Sequence, residues 1–397
     1  LWVQHVGSVY KTTLTNDIWQ LFINDEEQVM ARWPNSTFTN DVIYDNDTWG
    51  HSDGLDPDGV VNDLTNIAGL SEETKELSDF SNNDISGAII VANFNSFRTK
   101  VRRVKTAGLD VSNKKFEYDV IGSGYKDKHH FYFLEKKLAF LDSDNEWFYD
   151  KATKTLYAWS ANGTGTDLNE AQIKGKVQSF AVNLTNCANV ALEGFKFFGT
   201  TVTIQNGNTV QIKDNVFSYP NYSRRMIDDQ VSPYDISPLV TNIDQNLTTG
   251  ELTSNGPSSN CTFSGNVFEY TDGEALILAG SNHFVSNNYF HHIDWSCAET
   301  QSLGLSIYSS GTDLTFDHNI MHTLGASATL NLGERAKVLY NDISNTGLGQ
   351  SDGSIVQITK SIVEGTETAY NWLHDTEKYG FRFDAVAGDA GNAGKEG

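Results

Sequence analysis

The second half of the chain repeats one short frame. "VQIKDNVFSY" returns as "CTFSGNVFEY", "HFVSNNYFHH", "LTFDHNIMHT", "KVLYNDISNT" and "TAYNWLHDTE". In each stretch alternating apolar residues lead to an asparagine, then one or two bulky apolar residues, then a polar turn. The fixed place is held by Asn215, Asn266, Asn288, Asn319, Asn341 and Asn371, and Gly194 of "VALEGFKFFG" takes it one unit earlier. The later intervals run to roughly two or three tens of residues, the length of one solenoid coil. Between the asparagine motifs lies a second strand signal: "EALILAG", "GLSIYSS", "ATLNLGE", "SIVQITK" and "GFRFDAV".

Strands this short, alternating with period two, cannot bury a face alone. Stacking coil on coil solves the problem and gives an all-β parallel β-helix with an apolar interior. A β-sandwich of regular hairpins is the competing fold, but it gives no reason for asparagine to return at one place. The helix gives one: an internal ladder at a bend, each amide bonding its neighbour or the backbone. Asn266, Asn288, Asn319, Asn341 and Asn371 are therefore expected to stack inward in successive coils.

Over about residues 180–397 this pattern resembles the right-handed parallel β-helix superfamily, also called pectin-lyase-like. Many polysaccharide lyases and glycoside hydrolases belong to it. The resemblance implies a right-handed solenoid over 176–397 and a carbohydrate-active chemistry, and it assigns no residue a role. Residues 1–175 read as a β-rich amino-terminal region with an acidic insertion. "IWQLFINDEEQVMARWPN" reads as a hairpin in which Ile18–Ile23 pairs back through Asn24-Asp25 to Val29–Trp33. "EWFYDKATKTLYAW" reads as a second hairpin. The acidic insertion holds a short helix near "SEETKEL". "FRTKVRRVKT" and "KDKHHFYFLEKK" are locally basic, either as an ordinary strand face or as a positive wall for an acidic polymer.

Charge narrows the partners. Lys and Arg number 28 against 51 Asp and Glu, a formal net charge of -23, which argues against nucleic acid. No apolar run approaches bilayer length, so no membrane is expected as partner and a secreted or extracellular location is. The chain opens "LWVQHVGSVY" without a signal peptide, as a processed chain or a fragment would. Asn35, Asn46, Asn162, Asn183, Asn221, Asn246 and Asn260 each begin an N-x-S/T sequon and are candidate glycosylation sites. Cys187, Cys261 and Cys297 cannot all pair internally and fit no zinc motif. About two coil spacings separate Cys187 from Cys261, too far for a disulfide unless an insertion bends the stack.

Alternation selects the outward residues. Phe381 and Phe383 should point into the coil, with Arg382 and Asp384 outward. In the preceding coils Ser306, Tyr308, Asn331 and Gln357 point out, with Glu334 and Lys360 just past their strands. Stacked at about 4.8 Å per coil, acids two coils apart lie roughly 10 Å from each other, near the upper end of the range for an inverting glycosidase pair. A second stripe stands three residues beyond the asparagines: Glu269, His291, His322, Ser344 and His374. The run His291-His292-x-Asp294 offers metal-ligand types, but nothing else in the sequence completes a site, so no metal is expected.

The first functional reading is cleavage of a polysaccharide. A hydrolase needs two carboxyls, here Asp384 and Glu334. A lyase needs a base, Lys360 or His374, and a cation to neutralise the uronate carboxylate, which Arg382 or a bound calcium would supply. No other cofactor is expected. Tyr308, Asn331, Gln357, His322 and His291 are the candidate substrate-binding residues. The second reading is a structural or adhesive extracellular β-helix whose stack continues into further copies or further chain beyond Gly397. The third is a sugar-binding module with Tyr308 and Trp295 as aromatic platforms.

Overall fold

A computed structural model describes residues 1–65, 75–95, 98–122, 125–126, 131–223, 225–227, 247–249, 258–298, 305–350, 352–358, 365–376 and 378–383. The chain divides into two compact units. One is Leu1–Val177 with the segment containing Ser223 and Arg225–Ile227, and the other runs through Gln178–Tyr222 and the carboxyl-terminal part.

The second unit is the parallel solenoid. Among the described residues three sheets run its length, with eight, seven and seven strands. The first contains Leu276–Leu278, Leu305–Ser309, Ala328–Asn331, Ser354–Ile358 and Tyr379–Phe383. The second contains Thr262–Ser264, Phe284–Ser286, Thr315–Asp317, Lys337–Leu339 and Glu367–Ala369. The third contains Val267–Glu269, Tyr289–Ile293, Ile320–Leu324, Asp342–Thr346 and Trp372–Thr376. Each coil visits the sheets in that order, so every strand pairs in parallel with its counterpart one coil away.

Three-residue strands have one inward side chain each, and these stack in register. In the third sheet Phe197, Phe217, Phe268 and Phe290 form a column with ring centroids 4.7, 4.9 and 4.9 Å apart. Met321, Ile343 and Leu373 continue it. Leu276, Ile307, Leu330, Val356 and Phe381 form the matching column of the first sheet.

The asparagines stack inward at the corner between the second and third sheets. Asn288 Nδ2 donates to Phe263 O at 2.9 Å and to Asn319 Oδ1 at 3.0 Å, while its own Oδ1 accepts from the backbone N–H and Nδ2 of Asn266, both at 3.0 Å. Asn215, Asn266, Asn319, Asn341 and Asn371 repeat the pattern. The frame one unit earlier needs correction. Phe195, not Gly194, takes the asparagine place, because its N–H donates to Asn215 Oδ1 at 2.9 Å. Gly194 holds the left-handed corner, φ 75°, that Gly265, His318, Tyr340 and Tyr370 occupy elsewhere. A tyrosine at positive φ costs on the order of 1 kcal/mol. Stacking offsets part of it, since the Tyr340 and Tyr370 rings lie 4.9 Å apart.

The first unit is antiparallel in the main, with sheets of five, seven and three strands among its described residues. The hairpin Glu146–Asp150 with Thr155–Trp159 forms as expected. The earlier hairpin is shorter than expected. Asn24 and Asp25, φ 53° and 67°, make a two-residue turn that pairs Phe22 with Glu27 and Ile23 with Glu26. Val29–Met30 then leaves to pair in parallel with Glu146 and Trp147, and Arg32–Trp33 pairs with Leu134 and Glu135. The register of the tight turn uses up the hairpin before Val29 arrives. Most of "SEETKEL" lies outside the described residues, and Leu77–Asp79 is a single 3-10 turn. The basic stretch is a strand, Arg98–Asp110, with Lys100 and Arg102 buried, so these two cations line no outer wall. A fully buried ion pair, Arg225 Nε to Glu135 Oε1 at 2.7 Å, ties the returning segment into this unit.

The ladder should carry stability as well as register. Asn288→Ala orphans the Asn266 N–H and the Phe263 carbonyl, and each buried unpaired group costs about 1–3 kcal/mol. Urea unfolding of that variant should show a loss on the order of 3 kcal/mol. A loss near zero would mean that solvent already satisfies the corner.

Candidate functional site

The first sheet places Tyr308 beside Asn331 and Gln357 beside Arg382, and Gln357 directly follows the Val356 that pairs with Leu330. The expected outward row is therefore one physical row, continued the other way by Ile277. Its members differ in exposure. Tyr308, Asn331 and Arg382 are half-buried, while Gln357 is 2% exposed. Ser306, expected outward, is fully buried, so alternation sets its direction but not its contact with solvent. Burial also pushes the Tyr308 phenol up.

The sequence reading missed one carboxylate here. Asp352 Oδ1 accepts from Arg382 Nη1 at 2.5 Å, and the Arg382 guanidinium also lies 5.8 Å from the Tyr379 ring centroid. A repeat in the sequence marks this place. Asp352-Gly353 precedes Val356 as Asp272-Gly273 precedes the in-column Leu276, and Gly353 and Gly273 have φ 139° and 151°. The two aspartates then diverge. Asp272 is buried and accepts from Ser296 Oγ, whereas Asp352 is partly exposed and ion-paired.

Other expected site residues fall elsewhere. Glu334 sits in the turn after the first sheet, bridged to Thr312, and its Oε2 is 3.6 Å from Arg335 Nη1. Asp384 and Lys360 lie outside the described residues. Trp295 is 5% exposed and offers no open platform. Among the sequons, Asn221 is 3% exposed and leaves a glycan no room; Asn162, Asn183 and Asn260 are exposed, Asn35 and Asn46 are half-buried, and Asn246 lies outside the described residues. The three cysteines are free thiols.

The histidines do not share a sheet with Arg382. Glu269, His291 and His322 stand in register on the third sheet, and His374 follows on its last strand. Successive sheets of a coil face different ways, so nearness in sequence does not bring His374 and Arg382 onto one strand row. His374 Nδ1 lies 2.7 Å from Asp375 Oδ2 and its Nε2 lies 3.0 Å from Asp342 Oδ1. Those two carboxylates, Asp375 first, raise its pKa above the usual value for histidine. Its ring also stacks on Trp372, centroids 3.9 Å apart.

A raised folded pKa means that protonation favours the folded form. This contribution is whole below the unfolded histidine pKa of about 6.5 and fades as pH rises through the folded value. NMR titration should place the His374 midpoint above about 6.5, and Asp375→Asn should lower it. An unmoved midpoint in that variant would remove Asp375 as the main cause.

Residues 254–388 match the family described as a right handed beta helix region. No curated protein matches the sequence. A solved structure described as "Glycoside hydrolase" superposes with TM-score 0.54 at 10% identity, covering 100% of this chain and 83% of that one. A second, described as the complex of XylC with xylose, gives TM-score 0.41 at 12% identity, covering 97% of this chain and 57% of that one. With three parallel sheets, an inward asparagine ladder and that family match, the carboxyl-terminal part of the chain folds as a right-handed parallel β-helix.

Proposed function

We propose that the outer face of the first sheet cleaves a polysaccharide by carboxylate-assisted hydrolysis. The observation that carries this reading is the in-register row on which Tyr308, Asn331 and Arg382 reach solvent, ending on the Asp352–Arg382 ion pair. Gln357, expected to bind substrate, is instead buried with its Oε1 accepting from Ser354 Oγ. A row of hydrogen-bonding side chains spaced at about 4.8 Å suits an extended chain of hydroxyls, and tyrosine adds an amphipathic ring. The shared fold with a structure named as a glycoside hydrolase supports the class.

Hydrolysis needs one carboxyl to protonate the leaving oxygen and a second to activate water or attack carbon. Asp352 replaces Glu334 in the pair as the ionised carboxylate that activates water or attacks carbon, because it is paired with Arg382 on the row while Glu334 stands off it beside Arg335. Asp384, two residues after Arg382 in the sequence, is the proposed proton donor. Elimination fits less well. Arg382 is already engaged by Asp352, and His374 sits on another sheet between two carboxylates. The net charge of -23 further favours a neutral glycan over a uronate polymer. Secretion remains part of this proposal, and no cofactor is required by it.

One observation favours a structural role instead. The last described coil exposes Tyr370 and Trp372, 73% and 64%, together with Phe383, a surface suited to end-on packing of a second copy.

The test is release of reducing ends from a panel of neutral polysaccharides. Asp352→Asn and Asp384→Asn should each lower turnover by at least about a hundredfold with the unfolding midpoint unchanged, and Glu334→Gln should stay near wild type. Full turnover in Asp352→Asn overturns the assignment. Absence of cleavage across the panel, with concentration-dependent growth in mass by light scattering, would establish the structural reading.

A further inference from the structure

The third sheet carries a second constellation that the glycan reading does not use. His291 Nε2 lies 3.1 Å from Glu269 Oε2, and the other oxygen of Glu269 accepts from Ser218 Oγ. A carboxylate can only accept, so the proton of His291 sits on Nε2 and its Nδ1 presents a lone pair.

That lone pair does not face solvent alone. His292 takes a left-handed backbone, φ 57°, which swings its ring against its neighbour with centroids 5.0 Å apart at 84°. The two Nδ1 atoms lie 2.7 Å from each other, so the His292 Nδ1–H donates to this lone pair, and an ion bound between them displaces that proton. The His322 ring stacks over His291 at 5.6 Å and the Tyr270 ring meets it edge-on at 5.4 Å. His322 itself is engaged through both nitrogens, by the Tyr289 hydroxyl and by Thr323 Oγ1.

We propose that His291 and His292 chelate one divalent copper-like transition ion through their Nδ1 atoms, with Glu269 orienting His291 from behind. A ligating histidine that gives its other N–H to a carboxylate is the arrangement by which proteins fix the tautomer and raise the basicity of a metal ligand. Geometry allows one ion to reach both nitrogens. Two imidazole nitrogens about 2.0 Å from an ion stand about 2.9 Å apart when cis in a square or octahedral field, and about 3.3 Å apart in a tetrahedral one. The observed 2.7 Å is a hydrogen-bond separation close to either value, so little movement is needed to admit an ion. The general preference of imidazole sites for Cu²⁺ over Zn²⁺ selects copper. Among the described residues no three His, Cys, Asp or Glu side chains converge on one point. The ion therefore keeps water in its remaining positions, and the net charge of -23 assists its capture.

The test is titration of the chelator-treated full chain with Cu²⁺, followed by calorimetry and electron paramagnetic resonance. Wild type should take up one equivalent with nitrogen hyperfine structure, and bind Zn²⁺ more weakly. His291→Ala and His292→Asn should each weaken binding at least about tenfold; asparagine tolerates the left-handed backbone at 292. Glu269→Gln should weaken it about tenfold while leaving the fold intact. His318→Ala, at another surface histidine–carboxylate contact, should bind as wild type. Affinity unchanged in either His291→Ala or His292→Asn, or lost equally in His318→Ala, would overturn the proposal and leave the pair as hydrogen-bonded histidines only.

Discussion

The buried amide is the interaction on which the solenoid depends. A coil turns a corner between its second and third sheets, and a corner leaves backbone groups without ladder partners. The asparagine side chain is short enough to remain inside and carries both a donor and an acceptor. It satisfies a carbonyl of its neighbour's coil and two donors of the adjoining asparagine at once. An apolar residue there would strand those groups in a low-dielectric interior, where each costs more than a single hydrogen bond gains. Because each amide bonds the next, a one-residue slip in any coil would break the ladder on both sides of it. Register is thereby set throughout, and the phenylalanine column and the outward rows inherit it.

Fixed register turns a repeat into a surface. Side chains separated by more than twenty residues in the chain stand one strand spacing apart, and a row of them can follow an extended ligand. The two outer faces have taken different directions. The first sheet combines amides, a phenol and an ion pair, groups that bind hydroxyls by hydrogen bonding and stacking. The third sheet gathers histidines, with a single carboxylate against His291 and two against His374. Different carboxylate partners along one row show that the stack specifies position and leaves the chemistry at each position to individual residues.

Much of this was legible in the chain itself. The asparagine frame, the inward column and the row Tyr308, Asn331, Gln357 and Arg382 follow from period-two alternation plus one conserved spacing within the sequence. The corner conformation was less legible. Gly194 looks like the asparagine equivalent because both residues suit tight turns, but a left-handed φ and an amide ladder are adjacent demands met by adjacent residues. Asp352 was overlooked because it precedes its strand, where alternation says nothing about direction.

The sequence by itself determined the fold class, the inward and outward sides of each strand, and the order in which coils stack, because those depend on local periodicity and on a repeated buried polar group. Tertiary structure alone decided which polar residues meet. Arg382 joined Asp352 rather than Glu334, His374 went to a different sheet from Arg382, and His292 turned its ring onto His291. Trp295, which reads as a surface platform, was buried. These outcomes turn on side-chain reach, turn conformation and the cover laid over a strand, all of which involve atoms distant in sequence that no local pattern records.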